Sequence, residues 1–319
     1  MSEIVWVGRE KAEALTPSPL RCCELAAQAL KWLASGETIV PAKSAIHPQS
    51  QRHLHVMPAY CKALEVAAIK WLGDYPENRA RGLPTINAVI VLSDARTGIP
   101  LAVLDGNWIT GIRTAAMTAV SLQACAARAQ SLTLVGTGMQ ARTHLAIVPA
   151  ALTSLREIHV VGRTPSRAQE FLSAHASERA GVRLEAAAGI EAAVRRSDVV
   201  ITATNELEAS LLDPAWLSSG ATVALVDFPG KEPALLKRAD RIIVDDRAPF
   251  ATSAITGRFS GGAPRIDAEI GRVLLGEQQG RRTDEEVVVI ANLGNAALDV
   301  VFAHAWYQAT IETRPSARS

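Results

Sequence analysis

Cysteine is scarce in this chain. The 319 residues hold four, Cys22, Cys23, Cys61 and Cys125, with no CxxC pair. That excludes a disulfide framework and reads as free thiols in a reducing compartment. Excess charge is missing too: 33 Lys plus Arg stand against 32 Asp plus Glu, a formal net charge of +1. A nucleic-acid binder usually shows a strong basic excess. No uninterrupted apolar run reaches the length of a membrane span. The opening MSEIVWVGRE carries acidic residues and no apolar core of the signal-peptide kind. There is no internal repeat and no low-complexity tract. The expectation is a cytoplasmic protein with no nucleic-acid and no membrane partner. Hydrophobic residues at 48% and charged residues at 20% fit a folded chain, long enough for two domains.

The hydrophobic pattern changes along the chain. Residues 18–35, SPLRCCELAAQALKWLAS, have a Ser-Pro start and helical spacing. HLHVMP at 53–58 and INAVIVLSD at 86–94 read as strands, and the TG of ARTGIPLAVLDG reads as a hairpin turn. This region reads as a mostly antiparallel or mixed sheet with helices beside it. Residues 110–129 are Ala-rich and read as a helix. From there strands and helices alternate: SLTLV strand, MQARTHLAIVPAAL helix, REIHVVGR strand, SRAQEFLSAHASERA helix, then DVVITAT, ATVALVD and RIIVDD as strands. Such alternation implies a parallel sheet covered on both faces. The predicted fold class is α/β, a Rossmann-type doubly wound sheet over 130–290 with a second, discontinuous α+β domain made of 1–129 and 291–319. The closing RPSARS reads as a frayed tail.

SLTLVGTGMQARTH at 131–144 carries the first functional signal. A dinucleotide turn needs one glycine for tightness, a second so that backbone can approach the pyrophosphate, and a small third residue for helix packing. Gly136, Gly138 and Ala141 fit, between an apolar strand and a helix start whose amides point outward. Thr137, Met139 and Gln140 complete the expected cofactor loop. The following strand ends in VVGRTPSR. NAD-selective sites usually hold an acid there. Arg163, Thr164 and Arg167 stand there instead, suited to a 2′-phosphate. NADP(H) is therefore expected in preference to NAD(H), the alternative being a solvated basic loop that serves either.

The order MPAY, K, P.N...GLP, TG.PLA, T..RTAA and G.G.QA, read through IKWLGDYPENRARGLPTINAVIVLSDARTGIPLAVLDGNWITGIRTAAMTAVSLQACA and LVGTGMQARTH, resembles the ornithine cyclodeaminase/μ-crystallin family. The resemblance covers about residues 40–310. It implies a homodimer, a Rossmann domain, a discontinuous substrate-binding and dimerisation domain, and hydride exchange at a carbon bearing nitrogen and carboxylate. The ligand it implies is a small amino or imino acid.

The same resemblance assigns residues. Lys70 matches the family's catalytic lysine, although by sequence alone it reads as a surface lysine beside Trp71. Arg113 matches an arginine that clamps the substrate carboxylate, a bidentate task. Lys43 lies close to a further cationic contact. Asp227, at a strand end before PGK, matches an acid that handles the substrate amine. His55 and Met57 are implied for the substrate pocket. Ornithine cyclodeaminases have Glu where His55 stands, and a histidine is a poor counter-ion for a distal ammonium. His53 and His55 would share a strand face, but two ligands do not make a metal site, and none is expected. Gly294 is expected to permit close backbone approach, and Asp299 to cap or pair.

The expected function is an NAD(P)-dependent oxidoreductase at the C–N bond of an α-amino or cyclic imino acid, such as a Δ1-pyrroline-2-carboxylate reductase or an amino acid dehydrogenase. The alternatives are an ornithine cyclodeaminase with internally recycled NAD and a non-catalytic small-molecule binder of the μ-crystallin kind.

Overall fold

The computed structural model of the protein describes residues 3–49, 52–175, 181–204, 210–255, 259 and 264–313. The RPSARS tail and the end of the helix expected over 166–180 lie outside them. The chain divides into two compact units, Met1–Arg113 with Asn295–Ser319, and Thr114–Gly294.

The first unit opens with strand β1 (Val5–Val7), helix α1 (Arg9–Ala14) and helix α2 (Pro19–Ala34). The Ser18 hydroxyl accepts from the Arg21 amide and caps α2. Strands β2 (Thr38–Ile39), β3 (Ser44–Gln49), β4 (Arg52–Cys61), β5 (Val66–Asp74), β6 (Ile86–Asp94) and β7 (Pro100–Asp105) follow. Among the described residues they form a seven-stranded sheet with β1 parallel to β7 and the other pairs antiparallel. The TG turn joins β6 to β7. Asp94 accepts from the Arg96 and Thr97 amides, and Gly98 takes φ +72°, which glycine adopts at little cost. Helix α3 (Gly106–Cys125) starts and ends earlier than the expected 110–129. Its start is fixed by Asp105, the last residue of β7, whose carboxylate accepts from the Trp108 amide at 2.7 Å.

The second unit is the Rossmann-type part. Strands β8 (Ser131–Val135), β9 (Glu157–Val161), β10 (Arg183–Ala186), β11 (Val199–Thr202), β12 (Thr222–Leu225), β13 (Arg241–Val244), β14 (Ala268–Glu269) and β15 (Val288–Ala291) lie side by side, all pairs parallel, in the order β10-β9-β8-β11-β12-β15-β13-β14. The central strands are buried from end to end, and their residues are apolar apart from Ser131, Thr133, Thr202 and Thr222. Helices α4 (Met139–Ala151), α5 (Pro165–His175), α6 (Ile190–Val194), α7 (Pro233–Arg238), α8 (Arg247–Ile255) and α9 (Ile270–Leu274) intervene. Strand order reverses between β8 and β11, the kind of switch point at which open α/β sheets bind ligands. EEVVVIANLG supplies β15, a strand inside this sheet between β12 and β13, so the unit runs on to Gly294.

Helix α10 (Ala296–Glu312) returns to the first unit, capped by the Asn295 side chain, and packs against α2, β4 and β5. One sheet row below it reads Val7, Leu104, Ile90, Lys70, Met57 across five strands. All five are buried, and only one is polar.

The β8–α4 turn generates a stability prediction. Gly136 has φ +127°, and a Cβ there would stand 2.3 Å from the Ala203 carbonyl oxygen. Gly136→Ala should destabilise the protein by about 3 kcal/mol, read as a lowered urea midpoint. An unchanged midpoint would mean that the turn relaxes without strain.

Candidate active site

The buried row sets the surroundings of Lys70. Strand β5 alternates, and Lys70 points to the covered face, where it is 1% exposed. Its row neighbours Ile90 and Met57 offer no polar group. A bare ammonium there would cost several kcal/mol. Asp299 from α10 meets it: Nζ lies 2.7 Å from Asp299 Oδ2. Arg113 from α3 meets the same carboxylate, its Nε donating to Asp299 Oδ1 at 3.0 Å. Thr110, one helical turn before Arg113, lies 3.4 Å from Lys70 Nζ. Asp299 and Arg113 are 1% and 5% exposed.

Electrostatics follow from this packing. Burial pulls the Lys70 ammonium down from the ordinary lysine range to about 8; Asp299 opposes that, while Arg113 and Lys43 add to it. Burial pushes Asp299 up, but Lys70 and Arg113 together outweigh it and hold the carboxyl below its usual range. Lys43 is exposed, just before β3, and is near enough to be felt at Lys70. His55 sits two residues from Met57 on the same face of β4, opposite Leu72. His53 and His47 approach through their Nδ1 atoms at 2.7 Å, and among the described residues no group of three or more His, Cys, Asp or Glu could hold a metal ion.

In the second unit the glycine turn has the shape that a dinucleotide requires. The Gly136 amide donates to the Val161 carbonyl at 2.8 Å and fixes the turn. Gly138 is the N-cap of α4, and no side chain caps that helix. A Cβ on Gly138 would meet nothing within 4 Å. Open space before uncapped helix amides fits a pyrophosphate. Ala141 is fully buried. Thr137 and Gln140 are half-buried and Met139 is exposed. His144 holds α4 in place: its Nδ1 donates to the Gln140 carbonyl at 2.7 Å and its Nε2 accepts from the Thr118 hydroxyl at 3.0 Å. Burial pushes His144 down to about 4, so it serves as a neutral linker.

Asp227 follows β12 and is saturated within its own unit. Lys231 Nζ lies 2.6 Å away, the Thr202 and Thr204 hydroxyls donate at 2.7 and 3.0 Å, and the Thr204 amide at 3.4 Å. Lys231, from the PGK segment, was not singled out from the sequence, and neither was Thr110. The structure thus brings Lys70 and Arg113 together, adds Asp299, and gives Asp227 a lysine of its own.

The ornithine cyclodeaminase/mu-crystallin family pattern matches residues 9–314. The chain belongs to this family. A Δ1-pyrroline-2-carboxylate reductase of Bacillus thuringiensis subsp. konkukian is 29% identical, over 90% of this chain and 91% of its own. The Thermococcus litoralis Δ1-pyrroline-2-carboxylate reductase, solved with NADH and L-proline, superposes with a TM-score of 0.87 at 25% identity, covering 97% of this chain and 98% of that one. An archaeal alanine dehydrogenase dimer with bound NAD also gives 0.87, at 26% identity, covering 98% and 97%.

These family members correct the cofactor expectation. Both solved relatives carry the cofactor without the 2′-phosphate, so the preference for NADP(H) read from Arg163, Thr164 and Arg167 does not hold. The structure gives the physical reason. The Thr164 hydroxyl accepts from the Arg167 amide at the start of α5, and Arg167 pairs with Glu170 at 3.1 Å. Arg163, Thr164 and Arg167 are all exposed. The segment is a solvated helix start, in which Thr164 and Arg167 are engaged by α5.

Lys70 yields a pH prediction. Its pKa in the folded protein, about 8, is below the unfolded value near 10.5. Between those values the unfolded chain binds the extra proton, so stability rises with pH over this window and falls as pH drops through about 8. Urea unfolding of wild type relative to Lys70→Met should show wild type gaining across it. A pH-independent difference would mean that Lys70 titrates as an exposed lysine does.

Proposed function

We propose that this protein is an NAD(H)-dependent oxidoreductase that reduces the C=N bond of a small cyclic imino acid to the amino acid, the chemistry shared by a Δ1-pyrroline-2-carboxylate reductase and, on an open-chain imine, by an alanine dehydrogenase. The observation that carries it is the buried ammonium–guanidinium pair, Lys70 and Arg113, in a member of this family. Arg113 spends only Nε on Asp299. Among the described residues its two terminal nitrogens make no hydrogen bond, which leaves a planar fork for a substrate carboxylate. Lys70 has three N–H donors. One goes to Asp299 and one lies toward Thr110. The third is for the ligand, as a hydrogen bond to the carboxylate or a proton for the imine nitrogen. Lys43 adds a further positive charge.

Bound NADH supplies the hydride that the imine carbon needs. The chain's own contribution is the backbone cradle from Gly136 to Ala141 and the helix N-terminus behind it. Asp227 enters as an anchor. Its four donors match the roughly four lone-pair sites of a carboxylate, so proton handling falls to Lys70 and the cyclodeaminase reading loses its acid. His55, near the Lys70 row where a diamine would want a carboxylate, points the same way. The intact cationic site disfavours a non-catalytic binder.

The protein is proposed to work as a cytoplasmic homodimer. Trp6, Ile39, Tyr60, Ile69 and Trp71 stand exposed on the outer face of the mixed sheet, Trp6 by 66%. One row there reads Trp6, Val103, Val91, Ile69, Pro58, and a contiguous apolar patch of this kind marks an association surface. The four cysteines are free and buried, in keeping with a reducing compartment. Among the described residues no helix is long and apolar enough to cross a membrane.

The test is consumption of reduced nicotinamide with Δ1-pyrroline-2-carboxylate, Δ1-piperideine-2-carboxylate, and pyruvate with amines. NADH should be oxidised with at least one of them. Lys70→Ala should cut turnover on the order of 10²- to 10⁴-fold while NADH affinity, titrated by fluorescence, stays near wild type. Proline and ammonia from ornithine without net NADH change would replace this reading with cyclodeaminase chemistry. A folded Lys70→Ala with near wild-type kcat would remove Lys70 from the mechanism.

A further inference from the structure

The sequence gives Asp299 no more than a capping or pairing role, yet its position is unusual. It lies on the first turn of α10, where Asn295 already caps the helix through the Ala297 amide. Asp299 is therefore not needed as a cap. Its two oxygens are divided instead, Oδ2 to Lys70 and Oδ1 to Arg113. Among the described residues, three charged groups bear on Lys70. Arg113 comes from α3, Lys43 from the segment before β3, and Asp299 from α10; β4 and β6 present Met57 and Ile90. Asp299 is the one anion in that set.

We infer that Asp299 is the positioning residue of the site: it keeps Lys70 protonated and holds the Lys70 and Arg113 side chains at a fixed separation, so that both present donors to one carboxylate. Without it, burial, Arg113 and Lys43 all favour the neutral amine, and among the described residues no other charge opposes them. A neutral Lys70 neither attracts a carboxylate nor donates a proton to an imine. The one-carboxylate arrangement also fixes geometry. Two like charges brought close in a buried site would move apart unless a shared counter-ion bridged them. The inference rests on the proposed reading that this site receives a substrate carboxylate.

The test is binding of pyrrole-2-carboxylate, a planar carboxylate with an uncharged ring nitrogen, followed by intrinsic fluorescence from pH 6 to 10 in wild type, Asp299→Asn and Asp299→Glu. Wild type should lose affinity as pH rises through about 8. In Asp299→Asn that midpoint should fall by at least about one pH unit, and Asp299→Glu should bring most of it back. With a turned-over imine, the kcat deficit of Asp299→Asn should exceed about tenfold at pH 8 and shrink toward pH 6. A midpoint unchanged in Asp299→Asn, or a deficit equal at every pH, overturns the inference and leaves Asp299 a packing residue.

Failure of wild type to bind the carboxylate at any pH overturns the functional reading instead. A stability cycle then decides the role of Asp299 without a ligand. If Asp299→Asn is unfolded or strongly destabilised and Lys70→Met in the same chain restores the fold, the acid is the counter-ion of that ammonium. If the double variant is no better than Asp299→Asn alone, the inference fails.

Discussion

A single carboxylate at the bottom of the first unit holds two cations that the chain brings from far apart. Lys70 arrives on the middle of a sheet, Arg113 on α3, and Asp299 on α10 after the whole Rossmann-type unit has intervened in sequence. Taking three charges out of water is unfavourable, and replacing such a set by apolar residues is often neutral or stabilising. The inner row around Lys70 shows that apolar alternatives fit: Val7, Leu104, Ile90 and Met57 fill its other positions. Stability alone does not call for a lysine there. The proposed grip on a substrate carboxylate does.

The second unit solves a different problem with backbone instead of charge. Its parallel strands need crossover helices, and the reversal of order between β8 and β11 leaves a gap at their carboxyl ends. Gly136 turns the chain there within van der Waals reach of Ala203, and only a residue without a Cβ fits. Gly138 leaves space in front of α4, while His144 ties that helix to Thr118. Asp227 and Lys231 form the counterpart of the Lys70–Asp299 pair, closed upon itself with two threonines.

Much of this was legible in the sequence. The Ser18 cap, the TG hairpin, the strand–turn–helix at 131–151 and the alternation beyond it follow local rules, and the structure has them. The burial of Lys70 was not legible, for a physical reason. In β5 the alternation VAAIKWL invites Ile69 and Trp71 inward and Lys70 outward. The sheet does the reverse, because its outer face is itself apolar and the inner face holds the ion cluster. Asp299 was legible only as a residue that caps or pairs, and its partners were not, because they lie 186 and more residues away along the chain. The NADP(H) expectation failed because exposed Arg and Thr at a helix start serve the helix as readily as a phosphate, and sequence does not separate the two uses.

Isotope transfer follows the hydride itself. NADH carrying deuterium at C4 of the nicotinamide, prepared separately for each face, is incubated with the protein and Δ1-pyrroline-2-carboxylate, and the product is analysed by mass spectrometry and NMR. Proline with a single deuterium at Cα is expected from one of the two preparations and none from the other. Proline formed without deuterium from either preparation, or label lost to water, would contradict direct reduction of an imine held by Lys70 and Arg113.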